Sequence, residues 1–440
     1  MSGSMRAIFL FLVMAMMFIA VGQWQSWSLS LQIFNLCLIS AIMSLGVNIQ
    51  WGYAGLLNVG VMGFAALGGM AGVLVASQPV PEAWSAGGQG VMIAALIMAM
   101  TIVVIAWIHA KIRMVGRRFV MLLIGVIGYF AARFFFFPAV DAIEAVNPAG
   151  TGFLGGMGLS ILLSWGLGGV FAAGAAWIVG KVSLGLRSDY LAIATLGISE
   201  IIIAILKNED WLTRGVKNVS GLPRPVPYEV DIQQDPFFQS LANNWNISII
   251  DLSSIFVKLS YAVLFLIVLF MVLWLSERAL RSPWGRMMRA IRDNETAAEA
   301  MGKDVTGRHL QVFILGSAVI GVAGAMLTTL DGQFTPGSYQ PLRFTFLIWV
   351  MVIVGGSGNN WGAILGGFVV WFFWIQAEPL GLWAMDTLTS GLSEDSPLRQ
   401  HLLDHAAHMR LMTMGAVLLL VLRFTPKGLI PEKVRSSGNR

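Results

Sequence analysis

The stretch Val91-Met-Ile-Ala-Ala-Leu-Ile-Met-Ala-Met-Thr-Ile-Val-Val-Ile-Ala-Trp-Ile-His109 contains no Asp, Glu, Lys or Arg. A helix needs about 20 apolar residues to cross roughly 30 Å of hydrocarbon, and this run has that length. Its apolar residues are continuous and do not alternate, which fits a helix and not the strand of a barrel. Only helices and closed barrels satisfy every backbone group in lipid.

Similar runs recur along the whole chain. Candidate membrane segments lie near 8–22, 29–49, 58–77, 91–109, 119–138, 159–180, 190–206, 255–275, 308–330, 343–356, 361–377 and 409–424. The tenth and eleventh are short and read as re-entrant or broken. Composition agrees, with 57% hydrophobic and only 12% charged residues in 440. That charge would not cover a soluble protein of this length. The expectation is an all-α polytopic membrane protein, one domain over 1–440, with about 10–12 transmembrane helices, some broken by glycine. Near the N-terminus, Arg6 precedes an apolar stretch from Ile8 to Val21. It reads as a signal peptide, with Ala20-Val21-Gly22 a weak cleavage pattern, or as an uncleaved first span. The next run follows so closely that the uncleaved span is preferred.

Basic residues mark the cytoplasmic side of a membrane protein. With the N-terminus inside, the cytoplasmic connections receive Arg6, Lys111, Arg113, Arg117, Arg118, Lys181 and Arg187. They also receive Arg278, Arg281, Arg286, Arg289, Arg292, Lys303 and Arg308, then Arg423, Lys427, Lys433, Arg435 and Arg440 at the C-terminal end. That is 19 of 28 basic residues, so both termini are expected in the cytoplasm. Residues 207–254 become an extracytoplasmic loop, 276–307 a cytoplasmic loop and 425–440 a cytoplasmic tail. The net charge of +5 reflects this pattern and gives no sign of nucleic-acid binding. The lone cysteine, Cys37, excludes an internal disulfide and a thiolate metal cluster; it reads as a small buried residue.

The loop Arg281-Ser-Pro-Trp-Gly-Arg-Met-Met-Arg-Ala-Ile-Arg-Asp-Asn-Glu-Thr-Ala-Ala-Glu-Ala-Met-Gly302 carries the most specific local signals. Ser282 followed by Pro283 is a helix start. Arg286, Arg289 and Arg292 are three apart and share a helical face. Asp293 or Asn294 offers a second cap, Glu295 to Met301 form about two turns, and Gly302 suits the left-handed helix end. Ala297 and Ala298 expose little side chain, so a partner's groove can approach closely. This is either a docking knob or an amphipathic loop on anionic headgroups.

Two strings are rich in glycine: Gly52-Tyr-Ala-Gly55-Leu-Leu-Asn58-Val-Gly60-Val-Met-Gly63 and Gly355-Gly356-Ser-Gly358-Asn-Asn-Trp-Gly362-Ala-Ile-Leu-Gly366. Glycine weakens a helix by roughly 1 kcal/mol per residue, so both mark tight packing or unwound backbone along a solute path. Neither is followed by the Lys and Ser/Thr of a phosphate loop. In Ser188-Asp-Tyr-Leu-Ala-Ile-Ala-Thr-Leu-Gly-Ile-Ser-Glu200, Thr195 and Ser199 share a face, and Glu200 lies well inside the seventh span. A membrane glutamate is a pathway residue or an interhelical hydrogen-bonding group. His401, His405 and His408 have helical spacing with Asp404 among them, which suits a metal. A polar extracytoplasmic helix explains them more simply, and no metal is assigned.

Several of these strings resemble one family. Ala297-Ala298-x-x-x-Gly302 resembles the EAA motif of ABC importer permeases, with Thr296 in place of its usual Glu. The string from Arg289 to Gly302, both glycine strings, Asp189 to Glu200 and Thr425-Pro-Lys-Gly-Leu-Ile-Pro431 are similar to LivM-type branched-chain amino-acid permeases, in order, over about residues 36–432. Thr213-Arg-Gly-Val-Lys-Asn-Val-Ser-Gly-Leu-Pro223 resembles the family's Thr-Gly-Gly-x-Asn-Gly-x-x-Gly-x-Pro, but Arg214 replaces a Gly and Lys217-Asn218 replaces Asn-Gly.

The resemblance implies a permease subunit of a bacterial inner-membrane importer without its own ATPase site or cofactor. Two ATPase subunits would use the ATP, beside a sister permease and an extracytoplasmic solute-binding protein. Glu295, Ala297, Ala298, Glu299 and Gly302 would form the coupling helix that seats in the ATPase. Gly52, Gly55, Asn58, Thr195, Ser199, Glu200, Gly355, Gly356 and Gly358 are candidates for the substrate path. A urea or amide permease fits the broader family as well. From other classes, a proton-coupled transporter with Glu200 as carrier and a membrane-embedded enzyme are the competing expectations, though no paired catalytic constellation supports the enzyme.

Overall fold

A computed structural model describes residues 3–112, 116–148, 150–393 and 396–432. Of the residues weighed above, Arg113, Lys433, Arg435 and Arg440 lie outside the described residues, as does the end of the tail.

The helices run α1 (Gly3–Trp24), α2 (Trp27–Val47), α3 (Val61–Ala76), α4 (Pro81–Ala83), α5 (Gln89–Lys111), α6 (Arg117–Ala145), α7 (Ile161–Ser183) and α8 (Ser188–Asn208). Three short ones follow, α9 (Asp210–Thr213), α10 (Glu229–Gln234) and α11 (Pro236–Trp245). Then come α12 (Ile249–Arg281), α13 (Pro283–Asp293), α14 (Glu295–Ala300), α15 (Val305–Asp331) and α16 (Pro341–Gly355). The chain closes with α17 (Asn360–Leu388), α18 (Pro397–Asp404) and α19 (Met409–Phe424). The strands β1 (Val219–Ser220) and β2 (Gln333–Phe334) pair antiparallel, Val219 opposite Phe334.

Among the described residues, nine helices are long and apolar enough to cross a membrane, ten if α18 and α19, bent by 64°, form one span. The protein is a multi-pass membrane protein. Every expected segment is helical, but α3 and α16 have only 16 and 15 residues. The eleventh segment corrects the reading: it was expected to be short, yet α17 spans 29 residues. Glu378 and Pro379 end its apolar run in the sequence. In the fold, Arg410 of α19 pairs with Glu378 and stacks over Trp374. The charge is therefore neutralised, and the proline is tolerated inside a packed helix.

α2 is enclosed along most of its length, wrapped by α1, α12, α15, α16 and α17. α1 packs on it through Phe18 and Phe34, edge to face at 5.4 Å. α5 and α6 lean on each other and turn Leu96, Met100, Val103, Phe130 and Phe134 outward, as lipid-facing helices do. At the centre, α3 and α15 approach so closely that a Cβ on Gly68 would meet the Gly321 carbonyl, and one on Gly324 the Ala65 carbonyl. Small residues permit such crossings where no hydrophobic force between helices exists.

The 207–254 loop is ordered by short helices and the β1–β2 pair. Lys217 is committed to Asp210 at 2.8 Å and Arg224 to Glu229 at 2.9 Å. The three histidines do not lie along one helix. α18 ends at Asp404, a 3-10 turn spans Ala406–His408, and the His401 and His405 rings stack with centroids 4.1 Å apart.

Candidate functional site

The loop after α12 folds into two capped helices set at an angle. The Ser282 hydroxyl donates to the Ala279 carbonyl at 2.6 Å and accepts from the Gly285 amide at 3.3 Å. Asn294 then caps α14, its Oδ1 accepting from the Ala297 amide at 2.9 Å. Each cap satisfies an amide that a helix start leaves open. Gly302 takes φ +76°, the left-handed value that favours glycine. Asp304 caps α15 through the Gly307 amide at 2.9 Å.

α13 buries Gly285, Met288 and Ile291. α14 turns Ala298 inward, whereas Glu295, Thr296, Ala297, Glu299 and Met301 are exposed. The expectation that both alanines present an open surface is therefore half corrected: Ala297 does, and Ala298 packs against the bundle because it faces the side on which α13 and α15 lie. The arginine face is also divided. Arg286 points outward, while Arg292 reaches into the bundle, where it donates to the Gly52 carbonyl and pairs with Glu432 at 3.0 Å.

That arginine joins the knob to the two glycine strings. After α2 the helix widens into a π turn over Asn48–Gly52 and then breaks. Asn48 Oδ1 accepts from the Gly358 amide at 2.8 Å, and its Nδ2 donates to Asn360 Oδ1 at 3.1 Å. Asn360 also accepts from the Tyr53 hydroxyl and donates to Glu277 of α12 at 3.0 Å. Gly355 and Gly356 are clasped by the chain end: the Leu429 amide donates to the Val354 carbonyl at 2.8 Å and the Ile430 amide to the Gly355 carbonyl at 2.9 Å. Gly356 and Gly358 take φ of 114° and 81°. These glycines thus serve turn geometry and close packing against residues 425–432.

Asn58, Thr195 and Ser199 meet elsewhere, at the break between α2 and α3. Asn58 donates to Gln50 Oε1 at 2.9 Å, and Gln50 donates to the Phe313 carbonyl and the Ser317 hydroxyl, both at 3.0 Å. The Trp349 indole donates to the Asn58 carbonyl at 2.9 Å. The Val59 amide donates to Thr195 Oγ1 at 3.0 Å and the Gly63 amide to Ser199 Oγ at 2.8 Å. Irregular backbone at membrane depth is thereby satisfied by side chains of α8, α15 and α16. Gly55 lies in this break with φ +71°.

Glu200 stands apart from that cluster, on the exposed side of α8. It borders an open cleft of about 660 Å³ between α8, α16, α17 and α19, together with Lys207, Arg343, Leu347, Trp374 and Leu411. Arg343 lies over the Trp374 ring at 4.9 Å. The roles of Asn48, Gln50, Trp349 and Asn360 were not read from the sequence. Asn48 and Gln50 carry a signal, a polar residue at the end of an apolar run directly before a glycine string; Asn360 lies within the second string, and Trp349, inside an apolar run, carries none.

Residues 145–422 match the family model described as "Branched-chain amino acid transport system / permease component". The chain belongs to this permease family. Among its relatives is the LivM permease protein of the high-affinity branched-chain amino acid transport system of Salmonella typhimurium, 30% identical over 207 residues, which is 46% of this chain and 48% of that protein. A probable LivM protein of Methanocaldococcus jannaschii is 28% identical over 296 residues, 67% of this chain and 73% of that one. A probable LivH permease of the same archaeon is 30% identical over 116 residues, 26% of this chain and 34% of its own length. The match spans about half the length of the Salmonella relative. No solved structure matches. The family span takes in α7 to α18 whole, the knob, the Glu200 cleft and the second glycine string; the first glycine string precedes it.

Proposed function

We propose that this chain is the membrane-spanning permease subunit of an ATP-driven importer that carries branched-chain amino acids, or a closely related small polar solute, into the cytoplasm. The observation that carries the reading is the capped α13–α14 knob, with Ala297 and the Glu295 and Glu299 carboxylates outward and Arg292 anchored on Gly52. ATP is bound and hydrolysed by partner subunits, two ATPases that work with this chain and a sister permease. A solute-binding protein delivers the solute from outside. The chain sits in a bacterial inner membrane with both termini and the knob in the cytoplasm, as the distribution of basic residues supports. The permease carries no catalytic site or cofactor of its own.

Force enters at α14. It passes through α13 and Arg292 to the Gly52 carbonyl, where the widened turn after α2 yields more readily than a regular helix. From there it reaches the break around Asn58, held by Thr195 and Ser199 of α8. The opposite, exposed side of α8 presents Glu200 to the cleft, which lines the solute path against the sister permease.

The test is co-purification. Gly302→Arg places a side chain where φ is +76° and should abolish recovery of the ATPase with the permease while membrane insertion is retained. Normal recovery of the ATPase would remove the docking role. Uptake that persists with the ATPase genes deleted would favour a proton-coupled carrier instead.

A further inference from the structure

Arg133 is the only Asp, Glu, Lys or Arg between Phe119 and Val140 of α6. It stands fifteen residues past Arg118 and eight before Asp141, about 22 Å and about 12 Å along a helix axis. A hydrocarbon layer of about 30 Å between those flanking charges encloses it. Its side chain is exposed, as are Phe130, Phe134 and Phe137 beside it, so it faces lipid. The guanidinium carries five donors and stays charged. Among the described residues it lies over the Phe137 ring at 4.6 Å and makes no hydrogen bond or ion pair. A charge in that position is costly until it meets a counter-charge or the interface. Phe137 belongs to the next turn toward Asp141, and a side chain of this length reaches from there toward the headgroups.

Beside Arg133 an open groove of about 450 Å³ follows the α5–α6 pair. Val91, Ala94 and Met98 line it from α5, and Tyr129, Ala132 and Phe136 from α6. A Cβ on Gly90 would meet Ala139, and one on Gly128 would meet Thr101. That register sets Met98 and Tyr129 deeper in the membrane than Arg133. Trp211 stands at the groove's outer end, its ring edge to face with Phe136 at 5.5 Å and its amide donating to Glu144 at 3.2 Å. Glu209, on the same rim, accepts from the Trp211 indole at 2.6 Å and forms no ion pair with Arg133.

A lipid-facing cation above an apolar groove matches an anionic group that carries a hydrocarbon chain. We propose that the groove holds one membrane glycerophospholipid, its phosphate diester at Arg133 and an acyl chain along Met98 and Tyr129. The guanidinium fork fits two phosphate oxygens, and the apolar walls take the chain that a free phosphate lacks. The lipid fills the wedge between the α5–α6 pair and α9. Both helices run ahead of the family match, which begins at residue 145, so the transport reading gives Arg133 no task. The leaflet rests on the orientation proposed above, which makes it the outer one.

The test uses the full chain, delipidated in detergent, and counts bound lipid by native mass spectrometry. The probes are phosphatidylethanolamine, phosphatidylglycerol, a diacylglycerol with the same chains, and inorganic phosphate. Either phospholipid should be retained, and the diacylglycerol, which lacks the phosphate, should not. Arg133→Leu should weaken retention by roughly tenfold or more, as loss of a charged hydrogen-bonding partner does. Leucine suits a lipid-facing position, so the variant keeps its fold. Arg133→Lys, which keeps the charge without the fork, should fall between the two. A phospholipid with a photoreactive group near its phosphate should label the segment from Tyr129 to Phe137. Wild-type retention by Arg133→Leu, equal retention of the diacylglycerol, displacement by inorganic phosphate, or labelling confined to other segments would overturn the proposal. Such a failure with normal ATPase recovery would leave the permease reading standing. A knob found outside the cell would move the lipid to the opposite leaflet without emptying the groove.

Discussion

Arg214 and Asn218 hold φ of 58° and 60°, at the two positions where the resembling family carries glycine. A side chain in left-handed backbone costs about 1–3 kcal/mol, most in the extended region that only glycine visits freely. Asn218, with ψ of 153°, is in that region; Arg214, with ψ of 11°, is in the milder helical one. Asn218→Gly is therefore expected to stabilise by about 1 kcal/mol after the extra entropy of glycine in the unfolded chain is discounted. Arg214→Gly should gain less. Thermal unfolding of the purified chain in detergent measures both, and a lowered midpoint for Asn218→Gly would contradict the argument. The sequence showed the departures but not their cause, because backbone angles at a loop residue depend on Lys217, Asp210 and the β1–β2 pair that hold the loop.

The elements were legible where hydropathy is local, and illegible where a pairing spans the chain. The cap at Ser282 and the stop at Gly302 were legible, and of the two residues read for the second cap, Asp293 and Asn294, the structure uses Asn294, because each of these features acts within four residues. The run of α17 past Glu378 was not, since its neutralising partner Arg410 lies on another helix. The network linking Asn48, Asn360, Tyr53 and Glu277 likewise joins α2, α17 and α12 across the bundle. In the proposed transmission from α14 to the break around Asn58, Arg292 is the hinge. Arg292→Ala leaves a carbonyl and a carboxylate without their partner, at a cost of about 1–3 kcal/mol. The ATPase should still co-purify with this variant, but solute imported per ATP hydrolysed should fall. An unchanged transport-to-hydrolysis ratio in proteoliposomes would show that force takes another route.

For the whole molecule, the two glycine strings divide their duties. The second is clasped by the chain end at Gly355 and Gly356, while the first carries the break whose amides α8 satisfies. Glu200 borders the open cleft and not the buried cluster, so the variant Glu200→Ala should lower uptake with protein levels and thermal stability unchanged. Equal uptake in cells expressing equal amounts would exclude Glu200 from the path. Hydropathy could place α8 in the membrane but not assign Glu200 to an outer face, because only the packing of α16, α17 and α19 defines that face.

For a motor to grasp it, the knob ending at Gly302 must face the cytoplasm. The only cysteine, Cys37, is fully buried and provides a silent background for an Ala297→Cys substitution on the exposed side of α14. Labelling with a membrane-impermeant maleimide then reads the topology directly. Modification is expected in inside-out membrane vesicles and none in intact cells; modification in intact cells would contradict a cytoplasmic knob.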